Sequence, residues 1–126
     1  DYGSLWADLQ GDGDSAVITF GSVTGTVREA IARATDRGIV VRLIALRLLA
    51  PIQTERLEQA LAGINRVLIV EQNHGAQLYR YLRSMIDLPG KPESFHRPGP
   101  LPLRPAELTD AIEQWQRASV REREML

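Results

Sequence analysis

Two short apolar runs constrain this chain more than any other feature, because each breaks at once into a small polar turn and then a helical pattern. The first is Ala16-Val17-Ile18-Thr19-Phe20, followed by Gly21-Ser22-Val23-Thr24-Gly25. The second is Val67-Leu68-Ile69-Val70, followed by Glu71-Gln72-Asn73-His74-Gly75. Strand–turn–helix units of this kind build parallel sheets whose strands are covered by helices on both faces. In such open sheets ligands and partners meet the carboxyl ends of the strands, so both turns are expected on that edge.

Around the two units the apolar period switches between strand and helix along the chain. Leu5 to Leu9 reads as a short, partly exposed strand, and Gly11-Asp12-Gly13-Asp14 as a turn. After the first unit, Thr26 and Glu29 have the spacing of a capping box. Val27, Ala30, Ile31 and Ala34 form one apolar helix face, ended by Gly38. Ile39 to Leu46 is nearly continuous and apolar, as a strand covered on both faces must be. Leu57, Leu61 and Ile64 mark a second helix, capped near Thr54, and Leu78, Leu82, Met85 and Ile86 mark a third. Glu93 to His96 reads as a last short strand after the break at Pro89-Gly90-Lys91-Pro92. Pro98 to Pro105 holds four of the seven prolines and is expected to run extended. Pro105 suits the first position of a final helix buried through Leu108, Ile112 and Trp115. The charged stretch from Arg117 to Leu126 either prolongs that helix or frays.

Composition then removes whole classes of function. A chain of 126 residues, 44% hydrophobic and 25% charged, is one domain with a real core. With 15 basic against 16 acidic residues, net charge -1, nothing in the charge favours nucleic acid or an anionic membrane as partner. There is no cysteine, so this chain cannot hold an iron–sulfur cluster or use a thiolate, and two histidines argue against a histidine-rich zinc site. No apolar run approaches the roughly 20 residues that span a bilayer, and no charged-then-apolar leader opens the chain. Asp1 is not a methionine, which sets the expectation of a cytoplasmic domain, residues 1–126, cut from a longer chain.

Each candidate site has a plainer competitor. The Gly21 to Gly25 turn could hold an anion on free amides at a helix start. It lacks the glycine spacing of a dinucleotide fingerprint and the lysine of a phosphate loop, so a tight turn is the stronger reading. Glu71, Gln72, Asn73, His74 and Gln77 form the densest polar cluster, with a glutamate and a histidine capable of acid–base work. Their spacing straddles a strand–helix junction, which favours Asn73 as a helix cap with Glu71 and Gln77 bonding backbone or a neighbouring domain. Asp12 and Asp14 open like a calcium loop without completing one. His96 beside Arg97 is read as a strand end, and Trp6 and Trp115 as core or interface. No reaction follows from these residues alone.

Four segments, taken in order, nevertheless carry a resemblance. Val17-Ile18-Thr19-Phe20-Gly21-Ser22-Val23-Thr24-Gly25-Thr26-Val27-Arg28-Glu29-Ala30 resembles the strand–GS–helix opening of the transketolase C-terminal-like domain, in the version found in alpha subunits of 2-oxoacid:ferredoxin oxidoreductases. Leu46-Arg47-Leu48-Leu49-Ala50-Pro51-Ile52 is similar to that family's strand and proline loop. Val70 to Leu78 resembles its V-E-x-N-x-x-G-Q segment, and Arg97 to Leu108 its G-x-P-x-x-P-x-E-(I/L) approach to the last helix. Ala76 stands where the family often has glycine, and its methyl group would hinder a close ligand approach at that turn.

The resemblance implies a three-layer α/β/α fold with a five-stranded, mostly parallel sheet and one antiparallel strand, for which Leu5 to Leu9 is the natural candidate. It implies a parent enzyme, of the 2-oxoglutarate type, that oxidatively decarboxylates a 2-oxoacid to an acyl-CoA and passes electrons to ferredoxin. Thiamine diphosphate, Mg²⁺ and the iron–sulfur cluster would then sit outside this segment, in an upstream thiamine-binding domain and a partner beta subunit. The segment itself is expected to be non-catalytic and to supply interface. Its contacts with a neighbour or a small anion are expected at Gly21, Ser22, Thr24, Gly25, Glu71, Asn73, His74 and Gln77. Two other parents remain open at this point. One is a different thiamine diphosphate enzyme, such as a transketolase, a deoxyxylulose phosphate synthase or a 2-oxoacid dehydrogenase beta chain. The other is a free-standing small-ligand or interaction module.

Overall fold

A computed structural model describes residues 6–47, 54–72, 77–96 and 103–124. Five strands, β1 (Ala7–Gln10), β2 (Ser15–Phe20), β3 (Arg42–Leu46), β4 (Arg66–Glu71) and β5 (Glu93–His96), form one sheet in the order β1-β3-β2-β4-β5. β3 and β4 flank β2 in parallel, β5 extends β4 in parallel, and β1 runs antiparallel on the outside of β3, with Ala7 opposite Leu46. The expected three-layer α/β/α architecture, with one antiparallel strand first in the chain, is what forms. β1 starts at Ala7, Leu5 lies outside the described residues, and the strand runs one residue beyond Leu9.

Four helices, α1 (Thr24–Asp36), α2 (Thr54–Ala60), α3 (Gln77–Met85) and α4 (Pro105–Glu124), divide between the two faces. Alternation along each strand does the sorting, since neighbouring side chains point to opposite sides. Ile18, Ile44 and Ile69 point toward α2 and α3, where Leu57, Leu78 and Leu82 meet them. Val17, Leu43 and Val70 point the other way, toward Val27 and Ala30 of α1 and Leu108 and Ile112 of α4. Covered on both sides, β2, β3 and β4 can be almost wholly apolar.

Several local expectations meet a competing force. The Ile39 to Leu46 run becomes strand only from Arg42, because the Gly11–Asp14 turn packs beside Val40 and Val41 where a pairing strand would be needed. Ile39 and Val41 are still buried, whereas Val40 is 54% exposed. The capping box at Thr26 and Glu29 does not form: one 3-10 turn, Gly21–Val23, feeds directly into α1, and Glu29 pairs with Arg33 one turn on. Gly38 does end α1, at φ +83°. α2 stops at Ala60, so Leu61 and Ile64 reach the core from the turn that follows it. Met85 faces outward at 45% exposure, because the α3 stripe leans to the Leu78, Leu82 and Ile86 side. α4 begins at Pro105 as expected, buries Leu108, Ile112 and Trp115, and is helical through Glu124, with 125–126 outside the described residues. The segment 98–102 lies outside the described residues.

Candidate functional site

The chain leaves β2 toward α1 on one face and leaves the adjacent β4 toward α3 on the other. The two turns singled out by the sequence therefore flank the point where the winding direction of the sheet reverses. At such a switch point the loops diverge and open a crevice at the carboxyl edge. Thr19 Oγ1, buried near the end of β2, donates to the Val70 carbonyl of β4 at 3.0 Å and clamps the two strands at their carboxyl ends.

On the β2 side, Gly21 has φ +82° and a Cβ placed there would meet nothing within 4 Å. Thr24 and Gly25 occupy the first turn of α1, whose start has no side-chain cap. Ser22 lies in the 3-10 turn between them. A hollow of about 300 Å³ adjoins this turn, lined by Asp8, Phe20, Gly21, Thr24, Leu46 and Arg47 among others. Asp8 anchors its rim by pairing with Arg28 of α1 at 2.9 Å and with Arg47 at 2.7 Å. This group was not legible in the sequence, because only the antiparallel register of β1 brings Asp8 to Arg47.

The hydrogen bond from Arg47, reinforced by Arg28, holds the Asp8 carboxyl below its ordinary value of 3.8. Arg117 and then Arg37 do the same for Glu113, below 4.5. A carboxyl with a depressed folded pKa adds stability above its unfolded value, and that stability is lost as pH falls through the folded one. The melting temperature should therefore fall below pH 3.8, and Asp8→Asn should flatten that acid limb. Thermal scans from pH 7 to pH 2 check this, and an unchanged slope in the variant would contradict it.

On the β4 side, Glu71 is buried at 3% exposure. Its Oε1 accepts from the Leu78 amide at 2.7 Å and its Oε2 from the Tyr79 amide at 3.0 Å. The carboxylate thus caps α3 and sits against the positive end of the helix dipole. The expectation that Glu71 bonds backbone is met. Gln72 Oε1 accepts from the Leu103 amide at 3.0 Å and ties the approach to α4 onto the same edge. Gln77 opens α3, whereas Asn73, His74 and Ala76 lie outside the described residues.

His96 ends β5 and lies 3.1 Å from Ser94 Oγ through its Nδ1. Among the described residues no three His, Cys, Asp or Glu side chains come together in a way that could hold a metal ion. Asp14 uses its carbonyl to accept from the Asn65 amide at 2.6 Å, as a turn residue does.

The fold is an open α/β sheet covered on both faces, with polar groups gathered at its switch point. Residues 13–95 match the family model described as pyruvate:ferredoxin oxidoreductase core domain II, and the chain belongs to that family. It is 36% identical over 90 residues to the alpha subunit of 2-oxoacid:ferredoxin oxidoreductase 2 from Aeropyrum pernix. It is 28% identical over 64 residues to the alpha subunit of NADH-dependent phenylglyoxylate dehydrogenase from Aromatoleum evansii. These alignments take in 70% and 51% of this chain but only 14% and 15% of the relatives, so the chain spans about one seventh of their length.

Among solved structures, the chain is similar to 2-oxoglutarate:ferredoxin oxidoreductase from Magnetococcus marinus, solved with 2-oxoglutarate, coenzyme A and succinyl-CoA bound. The TM-score is 0.76 and the identity 28%, over 86% of this chain and 19% of that one. It is also similar to the alpha chain of a probable 2-oxoacid ferredoxin oxidoreductase from Thermoplasma acidophilum. There the TM-score is 0.52 and the identity 25%, over 89% of this chain and 97% of that one. The chain is thus a domain of the kind found in 2-oxoacid:ferredoxin oxidoreductase alpha subunits.

Proposed function

We propose that this domain is a non-catalytic, load-sharing part of an alpha subunit whose parent oxidatively decarboxylates a 2-oxoacid, of the 2-oxoglutarate type, to its acyl-CoA and hands the electrons to ferredoxin. Its working face is the carboxyl edge of the sheet. Gly21, Ser22, Thr24 and Gly25 on one side of the switch point and Glu71, Asn73, His74 and Gln77 on the other meet an upstream thiamine-binding domain, the beta subunit or a small anion. One observation carries the non-catalytic reading: Glu71, the best-aimed acid at this edge, spends both oxygens on the start of α3.

This reading places thiamine diphosphate, Mg²⁺ and an iron–sulfur cluster outside the domain. The chain offers no cysteine to a cluster, and among the described residues no acidic or histidine group converges on a cation. Those groups, with the binding of coenzyme A, belong to the rest of the parent and its partner subunit. No helix among the described residues is long and apolar enough to cross a membrane, and the cytoplasmic setting is part of the same proposal. Isothermal titration of the 126-residue chain with thiamine diphosphate and Mg²⁺ should show no binding heat. Micromolar binding by these residues alone would overturn the reading.

A further inference from the structure

The turn joining β1 to β2 reads Gly11-Asp12-Gly13-Asp14, and it holds the one aspartate in the chain that a glycine follows. Both flanks of the turn are anchored. A Cβ on Gly11 would meet the Val41 carbonyl oxygen at 2.7 Å, so that residue lies close on the approach to β3. At the other flank the Asp14 carbonyl accepts from the Asn65 amide at 2.6 Å, and its carboxylate accepts from Asn65 Nδ2 at 3.2 Å. Between these anchors the Asp12–Gly13 peptide rests only on Val40, which is itself at the surface. Asp12 is exposed, and neither its carboxyl nor the Gly13 amide has a hydrogen bond or ion pair with a described residue.

An intramolecular condensation becomes available under these conditions. The main-chain nitrogen after an aspartate can attack that aspartate's own Cγ if three requirements are met. Its N–H must not be held by a hydrogen bond, the carboxyl must be unpaired, and no Cβ on the next residue may crowd the five-membered ring. The other described aspartates each fail at least one. Asp8 gives its carboxylate to Arg28 and Arg47. Asp14 gives its own to Asn65 and is followed by the first residue of β2. The amide after Asp36, that of Arg37, donates to the Ala34 carbonyl at 2.9 Å. Asp110 lies inside α4 and pairs with Arg37. Asp87 precedes Leu88, whose side chain is packed against the core.

We propose that Asp12–Gly13 is a site of spontaneous covalent modification, at which aspartate is converted to isoaspartate through a cyclic imide. The Gly13 nitrogen bonds to Cγ of the protonated Asp12 carboxyl, the Cγ–hydroxyl bond breaks, and the amide proton leaves with that hydroxyl as water. Water then opens one of the two imide C–N bonds. Opening at Cγ restores aspartate. Opening at the main-chain carbonyl carbon leaves the chain running through Cβ and Cγ, one atom longer, with the former main-chain carbonyl as a pendant carboxylate. Nothing is oxidised or reduced, and water is the only other reactant. The lengthened turn no longer fits between fixed anchors at Gly11 and Asp14, so the modification releases its Asn65 end. The site lies at the amino edge of β2, away from Gly21 and Glu71, and stands or falls separately from the alpha-subunit reading.

The 126-residue chain, aged at neutral pH in water enriched in heavy oxygen, should take up label at Asp12, because each cycle leaves one solvent oxygen behind. Electron-transfer fragmentation locates the label and distinguishes isoaspartate from aspartate. Asp14 should label at least about tenfold more slowly in the folded chain, since its bonds to Asn65 must open first, and unfolding in urea should narrow the gap. Asp12→Asn offers the same ring a neutral amide, and should lose ammonia at that position at least about tenfold faster than the parent forms isoaspartate. Asp12→Glu needs a six-membered ring and should stay unlabelled. In the fraction carrying isoaspartate the Asn65 amide should exchange with deuterium at least about tenfold faster. If the Asp12→Asn chain keeps its amide when folded and loses it only in urea, the fold shields this peptide and the proposal is overturned. Equal labelling of Asp12 and Asp14 in the folded chain overturns it as well.

Discussion

Glu71→Ala is expected to lower the melting temperature by about 10 °C, a loss of roughly 3 kcal/mol for a domain of this size. The side chain sits at the end of β4, next to the central β2, and closes the first turn of α3 from seven and eight residues away, through the Leu78 and Tyr79 amides. Removing it leaves two helix-start donors without their charged acceptor in a place water reaches poorly, and it removes an anion from the positive end of the helix. The loss of a desolvated charge offsets part of this, which is why the figure is not larger. Glu71→Gln keeps one acceptor oxygen and should cost about half as much. Thermal unfolding of the three proteins decides the matter. If alanine melts within a degree of the parent, the carboxylate is not what holds α3 to the sheet.

Gly90→Ala should be at least as damaging, with a loss of about 4 kcal/mol and the chance of recovering only unfolded protein. Gly90 holds φ +65°, and a Cβ there would run into the main-chain carbonyl of Asn65. Two costs add: the left-handed backbone itself, about 1–2 kcal/mol for an L-residue, and a clash with backbone that cannot swing aside. Gly21 separates them. It has φ +82°, but nothing lies within 4 Å of its would-be Cβ, so Gly21→Ala should cost only the backbone part, about 1 kcal/mol. Denaturant unfolding of both variants gives the comparison, and equal losses would show that close approach at Asn65 is not what makes position 90 special.

These contrasts also mark what the sequence made legible. β4, β5 and the start of α4 were readable from local residues, because an apolar run, a Pro-Gly break and a proline at a helix start each act over a few positions. The limits of β3 were not, because Ile39 to Val41 are as apolar as the strand and lose their pairing only through the distant Gly11–Asp14 turn. The capping box misled for a similar reason: Thr26 and Glu29 have the right spacing, but the 3-10 turn at Gly21 starts the helix before they are reached. At the switch point, Glu71 was legible as a group that bonds backbone. The Asp8, Arg28 and Arg47 group was not, since 20 and 39 residues separate its partners, and strand register brings in Arg47 while the packing of α1 brings in Arg28. Local chemistry speaks for itself; juxtaposition does not.

The antiparallel β1 and the long α4 together give the domain a direction. Ala7 enters opposite Leu46, at the carboxyl edge, and α4 runs from beside Gln72 to beyond Arg66 and Lys91, at the amino edge. Within the described residues the chain therefore runs from the carboxyl pole at Ala7 to the amino pole at the end of the 20-residue α4, about 30 Å of helix. A pull applied between Ala7 and the end of α4 would load the edge strand β1 along its length. The domain behaves as a strut set in line with its chain.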